Sequence, residues 1–198
     1  MRGDFLPVNE IFHSRQGEGV RTGEKSHFIR LSGCNVDCWF CDTETSDYKL
    51  MTVNQIAGCV SELEKECEWI VLTGGEPLIH DQTILKKLVL ELKSKGYCIQ
   101  LETNGTIATE IDFDHITVSP KKESIVTGLD PSRIREVKVL AESGDEPKRY
   151  LPDTPHFLQP IDSPDEWNKN TRFCENFVAD NPKEWELSLQ MHKIWGIK

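Results

Sequence analysis

Residues 69–77 read WIVLTGGEP, a short apolar run that stops on two glycines and a proline. Its length suits a buried strand, and the glycines mark where that strand breaks. Both flanks carry a helical period. Upstream, Thr52–Cys67 places Ile56, Val60, Leu63 and Cys67 on one face, and Thr52 with Gln55 makes a capping box at its start. Downstream, Asp81–Lys95 turns Leu85, Leu88, Val89 and Leu92 inward, and Gly96 stands where a helix would stop. A strand between amphipathic helices is the signature of β-α-β units and a largely parallel sheet. Phe28–Ser32 reads as a first strand, and others fall at Tyr97–Leu101, His115–Ser119, Glu136–Leu140, His156–Gln159 and Trp185–Gln190. Ser163, Pro164, Asp165 and Glu166 form a second capping box with proline at the first helical position, opening a helix to about Ala179. The polar stretches between Lys121 and Arg135 and between Ser143 and Pro155 read as surface loops.

The pattern predicts an α/β fold of about six mainly parallel strands, in a single domain over residues 1–198. A complete eightfold barrel takes about 250 residues, so the expectation is a partial, compressed (β/α) barrel. Polar clusters follow strand after strand: SGC (32–34), TGGEP (73–77), ETNG (102–105), SPK (119–121) and QP (159–160). Strand ends in parallel α/β architecture share one edge, so these clusters are expected to meet in one cleft.

With 198 residues and 37% hydrophobic content, the chain can bury one sizeable core but not two. A formal charge of −10 argues against direct binding of nucleic acid or an anionic membrane and favours a small-molecule partner. There is no run of roughly 18 apolar residues, and the start, MRGDFLPVNE, has no apolar stretch of the secretory kind. A cytoplasmic protein is expected. Seven cysteines, three of them crowded, fit a metal or redox role in a reducing compartment better than a disulfide framework. The scattered ones, Cys59, Cys67, Cys98 and Cys174, are expected to be buried as small hydrophobes.

The crowded three are Cys34, Cys38 and Cys41, in SGCNVDCWFCDT (32–43). Three thiolates on such a loop suit three corners of a cubane 4Fe-4S cluster, leaving one iron for a cofactor such as S-adenosylmethionine, which offers an amino and a carboxylate group. Two alternatives share the loop: a zinc site completed by a distant His27 or Cys59, and a closed ferredoxin-like cluster lacking a nearby fourth cysteine.

The loop after the first strand and GGEP after the next resemble the radical S-adenosylmethionine superfamily. Within it, the 7-carboxy-7-deazaguanine synthase family is the most similar. The resemblance rests on NEIFHSRQGEG (9–19), FIRLSGCNVDCWFCDT (28–43), VLTGGEPL (71–78), ETNG (102–105), SPK (119–121), FLQP (157–160) and SLQMHK (188–193), in family order over nearly the whole chain. It implies a lyase that turns 6-carboxy-5,6,7,8-tetrahydropterin into 7-carboxy-7-deazaguanine with loss of ammonia, on the route to queuosine-type bases. An adenosyl radical would begin the reaction by removing hydrogen beside the carboxylate.

The same resemblance implies roles residue by residue. Cys34, Cys38 and Cys41 match the cluster ligands, and Thr43 matches a Mg²⁺ ligand. Gly75, the segment Ser119, Pro120 and Lys121, and the segment Phe157, Leu158, Gln159 and Pro160 match cofactor-binding positions. Arg15, Gln16, Gly17, Arg30, Thr73 and Lys198 match substrate contacts, with Arg30 on the carboxylate and Lys198 acting through its backbone or terminal carboxylate. Without the family, Arg30 would read as an ion pair with Glu76, Glu102 or another acid. His192 and Lys193 would position the tail. A homodimer and an electron donor such as flavodoxin or ferredoxin are also implied. Met191 departs from the threonine frequent before HK, which puts a local hydrogen bond in doubt. Two rival functions share parts of the pattern: a small activating radical enzyme that acts on a partner protein, and a non-catalytic zinc or electron-transfer module.

Overall fold

The structure, a computed structural model, describes residues 4–44, 46–64, 66–121 and 129–198. Its frame follows from period-two alternation along the central strands. On β2 (Lys25–Leu31), Ile29 and Leu31 enter an apolar core while Phe28 and Arg30 face the other way, into a cavity. β4 (Trp69–Gly74) repeats this, with Ile70 and Leu72 in the core and Val71 and Thr73 on the cavity face. So does β5 (Cys98–Thr103), where Ile99 and Leu101 are buried in the core and Glu102 lines the cavity. On β7 (Ile134–Ala141) the split is sharpest: Val137, Val139 and Ala141 join the core, and Lys138 lines the cavity.

These strands belong to one nine-stranded sheet in the order β3-β1-β2-β4-β5-β6-β7-β8-β9. The pairings from β2 to β9 through β6 (His115–Val118) and β8 (His156–Pro160) are all parallel. β1 (Phe5–Arg15) and β3 (Lys49–Thr52) extend the sheet in antiparallel pairing at one edge, and β9 (Glu186–Leu187) ends the other. The sheet stays open, as expected of a partial barrel, but it has nine strands rather than about six.

Helices cover the apolar face only in part. α1 (Val53–Ser61) packs on β1 and on α2 (Gln82–Ser94), α2 packs on β5, and α3 (Trp167–Asp180) packs on β8 and β9. Between β5 and β6, residues 104–114 send Ile111 and Phe113 into the core where a crossover helix would otherwise pack. Leu85 and Leu88 of α2 are fully buried, and each such side chain contributes about 1.5–3 kcal/mol by leaving water.

The capping box of α1 is present, with Thr52 Oγ1 accepting from the Gln55 N–H and the Gln55 side chain accepting from the Thr52 N–H. The helix nevertheless stops at Ser61 instead of running to Cys67, because Cys67 is buried beneath the start of β4. The Ser163 box does not form. Residues 164–166 make a turn, and α3 begins at Trp167, where the buried Asn170 side chain donates to the Ile161 carbonyl and accepts from the Ser143 N–H. The last strand shortens to Glu186–Leu187, and the tail forms α4 (Met191–Trp195). Residues 122–128 of the expected 121–135 loop lie outside the described residues, and Pro131–Arg133 is a 3-10 turn leading into β7. Cys67 and Cys174 are buried as expected, but Cys98 is half-buried and Cys59 is exposed on α1.

Candidate active site

The chain leaves β2 directly into the cysteine loop, and the turn after β4 is laced to it. The Gly75 N–H donates to the Leu31 carbonyl at 3.2 Å and the Glu76 N–H to the Gly33 carbonyl at 2.9 Å. A Cβ on Gly75 would lie 2.2 Å from the Gly33 carbonyl oxygen and 2.8 Å from Cys34 Cβ, so only glycine fits this approach. Below the turn, the fully buried Glu76 carboxylate accepts from the Leu78 N–H at 3.0 Å, Thr103 Oγ1 at 2.8 Å and the Asn104 N–H at 2.7 Å. Burial pushes its carboxyl up against the pull of these bonds. A single carboxyl therefore ties TGGEP to ETNG.

Cys34, Cys38 and Cys41 are free thiols on the wall of a cavity of about 590 Å³. Burial pushes the Cys38 thiol up, and Lys121 opposes that shift. Thr43 lines the same cavity, its carbonyl 3.8 Å from Cys41 Sγ. Beside it, Asp42 pairs with Lys193 of α4, which also reaches Asp162 at 2.6 Å. Burial works to raise the Asp42 carboxyl, but Lys193 holds it below the ordinary value. Neither His27 nor Cys59, the residues considered as a distant fourth zinc ligand, lines the cavity.

Arg30 and Thr73 are register partners on neighbouring strands, and both face the cavity. Arg30 pairs with neither Glu76 nor Glu102; its Nε donates to Glu10 Oε1 at 2.9 Å. Among the described residues nothing hydrogen-bonds to its two terminal nitrogens. Lys198 folds back onto β1: its ammonium pairs with Glu10 and lies 4.8 Å from the Phe12 ring centre, and its carbonyl accepts from Ser14 Oγ.

Arg15 is exposed and donates to the Gly23 carbonyl at 2.6 Å. The buried Gln16 amide is already engaged, donating to Glu102 Oε1 at 3.1 Å and accepting from the Gly17 N–H at 2.8 Å. Gly17 lies under the tail. A Cβ there would meet His192 Nδ1 at 2.2 Å, and the Gly17 carbonyl accepts from the Met191 N–H at 3.0 Å.

Deep in the cavity, Lys138 forms ion pairs with Glu18 and Glu102. Burial would raise the Glu18 carboxyl, but the Lys138 ammonium holds it down to about 2. Burial also raises Glu102, and there the like charges of Glu18 and Glu136 add to the rise, so it stays above the ordinary value despite Lys138. Lys121 Nζ donates to Ser119 Oγ at 2.7 Å, and Gln159 donates to Glu18 at 3.1 Å. Of the FLQP segment only Gln159 reaches the cavity wall; Leu158 is in the core, and Phe157, Pro160 and also Pro120 are buried away from the lining. Glu102, expected in the cleft as part of ETNG, lines it, whereas Lys138 and Glu18 carry no role in the sequence-based expectations. For Lys138 and Glu102 the signal is a charged residue inside a central strand, as in EVKVLA (136–141); Glu18, in the bend after β1, carries none of its own.

The Radical SAM superfamily matches residues 28–150, more than half the chain. This defines the class: an enzyme built on three cysteines that implies a 4Fe-4S cluster and S-adenosylmethionine. The fold is similar to the crystal structure of QueE from Escherichia coli, with a TM-score of 0.76 and 27% identity over 95% of each chain. Among curated relatives, the 7-carboxy-7-deazaguanine synthase of Bacteroides thetaiotaomicron is 40% identical over 96% of this chain and 98% of its own. That of Synechocystis sp. is 33% identical over 97% of this chain and 93% of its own. The chain belongs to the 7-carboxy-7-deazaguanine synthase family.

Proposed function

We propose that the protein converts 6-carboxy-5,6,7,8-tetrahydropterin to 7-carboxy-7-deazaguanine with loss of ammonia, a radical SAM lyase step in queuosine-type 7-deazapurine biosynthesis. The observation that carries this reading is one cavity of about 590 Å³ in which Cys34, Cys38 and Cys41 share walls with Arg30, Thr73 and Gln16. That volume lies in the range of small-molecule sites. The tail packed over Gly17 narrows access, which favours a small substrate over a partner protein.

The donor set fits a 4Fe-4S cluster: three soft sulfur ligands on one loop, with the Gly75 turn seated against it. Cys34, Cys38 and Cys41 would hold the cluster, which when bound would supply one-electron reductive chemistry toward S-adenosylmethionine. The chain's own residues bind and orient. Gly75, Ser119, Lys121 and Gln159 line the cofactor side, with Pro120, Phe157, Leu158 and Pro160 supporting them from behind. The terminal nitrogens of Arg30 hold the substrate carboxylate, and Thr73 beside it fixes the approach. Arg15, Gln16, Gly17 and Lys198 close around the pterin, with the Gln16 amide turning from Glu102 to the ring edge. Lys138 keeps Glu18 ionised, which leaves Glu102 as the carboxyl that more readily holds a proton.

Thr43 offers a hydroxyl for Mg²⁺, with water and substrate completing the shell. A single-domain homodimer, joined through the edge where Phe5, Tyr48 and Leu50 are exposed, and a flavodoxin- or ferredoxin-type donor complete the reading, in the cytoplasm. The test is anaerobic reconstitution followed by S-adenosylmethionine, reductant and the carboxypterin. Ammonia and the deazaguanine product are expected. A formed cluster that cleaves the cofactor and yields neither would leave the superfamily assignment and remove the substrate.

A further inference from the structure

On the helix-covered side of the sheet, at the edge away from the cysteine loop, His13 of β1 and His27 of β2 are direct cross-strand partners. Their Nδ1 atoms face each other at 3.2 Å. One ring nitrogen from each and the sulfur of Cys67 all lie within 4.8 Å of one another. His27 and Cys67 are buried, and His13 is partly so.

The outer nitrogen of His13 settles what its inner one is. His13 Nε2 lies 3.0 Å from Glu64 Oε2, the arrangement in which an imidazole N–H donates to a carboxylate. Lys25 Nζ holds the other Glu64 oxygen at 2.7 Å. His27 Nε2 is buried and has no hydrogen-bond partner among the described residues. With its Nε2 donating to Glu64, His13 turns a bare Nδ1 lone pair toward His27 Nδ1, and a cation between the two rings would take one lone pair from each. Two imidazole nitrogens on a tetrahedral ion at 2.0–2.1 Å are about 3.3 Å apart, close to the spacing seen. A carboxylate behind a ligating histidine is also the outer-shell partner that metal sites use to fix the tautomer.

We propose that His13, His27 and Cys67 form a second metal site for a zinc-class divalent ion, with Glu64 orienting His13. The ion would tie the start of β4 to the β1–β2 ladder, a structural role separate from the radical chemistry and independent of the substrate assigned above.

The test uses the full chain with Cys34, Cys38 and Cys41 replaced by serine, so that the cysteine loop takes no metal. One equivalent of Co²⁺ should give a thiolate-to-cobalt charge-transfer band and the visible bands of a tetrahedral ion, and Zn²⁺ should displace it and stay bound through gel filtration. Cys67→Ser should abolish the charge-transfer band. Glu64→Gln should weaken Zn²⁺ retention by about 10- to 100-fold, and His13→Gln, at the exposed side of the cluster, should weaken it further. In the unsubstituted, cluster-loaded chain one zinc should be retained beside the iron. The absence of tetrahedral bands in a chain whose circular dichroism is native, or the same bands after Cys67→Ser, would overturn the proposal.

Discussion

Arg30 Nε donates to Glu10 Oε1 at 2.9 Å across the β1–β2 ladder, while its neighbour in the parallel direction is Thr73. The bond fixes the guanidinium of this cavity-lining residue by one nitrogen and leaves the other two without a hydrogen bond among the described residues. Arg30→Ala should lower kcat/KM for the carboxypterin by roughly 10- to 150-fold, the equivalent of about 1.5–3 kcal/mol for a charge-assisted bond. Cluster content and uncoupled cleavage of S-adenosylmethionine should persist; loss of the cluster in this variant would show that the arginine holds the loop instead.

Lys138 is buried between two carboxylates. Lys138→Met leaves both without a counter-charge and should cost about 3–5 kcal/mol of stability, or roughly 6–20 °C in Tm for a chain of this size. A shift under about 2 °C would mean that the three groups are more hydrated than their burial indicates.

Acid stability should trace the two carboxyls in opposite senses. Folding lowers Glu18 from 4.5 to about 2, so its contribution is full above its unfolded value and is lost as pH falls through the folded one. Glu18→Gln should therefore flatten the fall in Tm between about pH 5 and pH 2. Folding raises Glu102, so its contribution is present below the unfolded value and is lost as pH rises through the folded one. At pH 7 Glu102→Gln should be the milder change of the two, and equal losses there would contradict the asymmetry.

Gly17→Ala places a methyl 2.2 Å from the His192 ring. The tail must move, so protease cleavage within residues 191–198 and hydrogen exchange there should quicken, and KM for the pterin should rise. Unchanged exchange in the tail would show that the ring swings aside without cost.

Thr43→Ala should blunt the stimulation of turnover by Mg²⁺ while leaving the metal-free rate unaltered. An identical Mg²⁺ response in the variant would take Thr43 out of the metal's shell.

Strands β2, β4, β5, β6, β7 and β8 were legible because each is a short apolar run ended by polar or glycine residues. β1 was not: FLPVNEIFHSR mixes Pro7, Asn9, Glu10 and His13 into its alternation, and its partners lie on both sides. β3 is only four residues long, two of them exposed, so it carries little pattern of its own. The Ser163 box matched in spacing yet lost to a tertiary demand, the seat of Asn170 between Ile161 and Ser143. The cysteines, Arg30 and Thr73 could be placed from motifs at strand ends. Lys138 could not, because its pairing with Glu18 and Glu102 spans 120 and 36 residues of sequence.

The period-two split of the central strands makes folding and catalysis select the same pairing. A one-residue slip of β7 would drive Lys138 under the helices and turn Val137 and Val139 into the cavity, losing core and site together. Saturation mutagenesis scored separately for soluble yield and for turnover should thus draw a zebra stripe along the second half of β7, with positions 137, 139 and 141 failing the first assay and positions 138 and 140 the second.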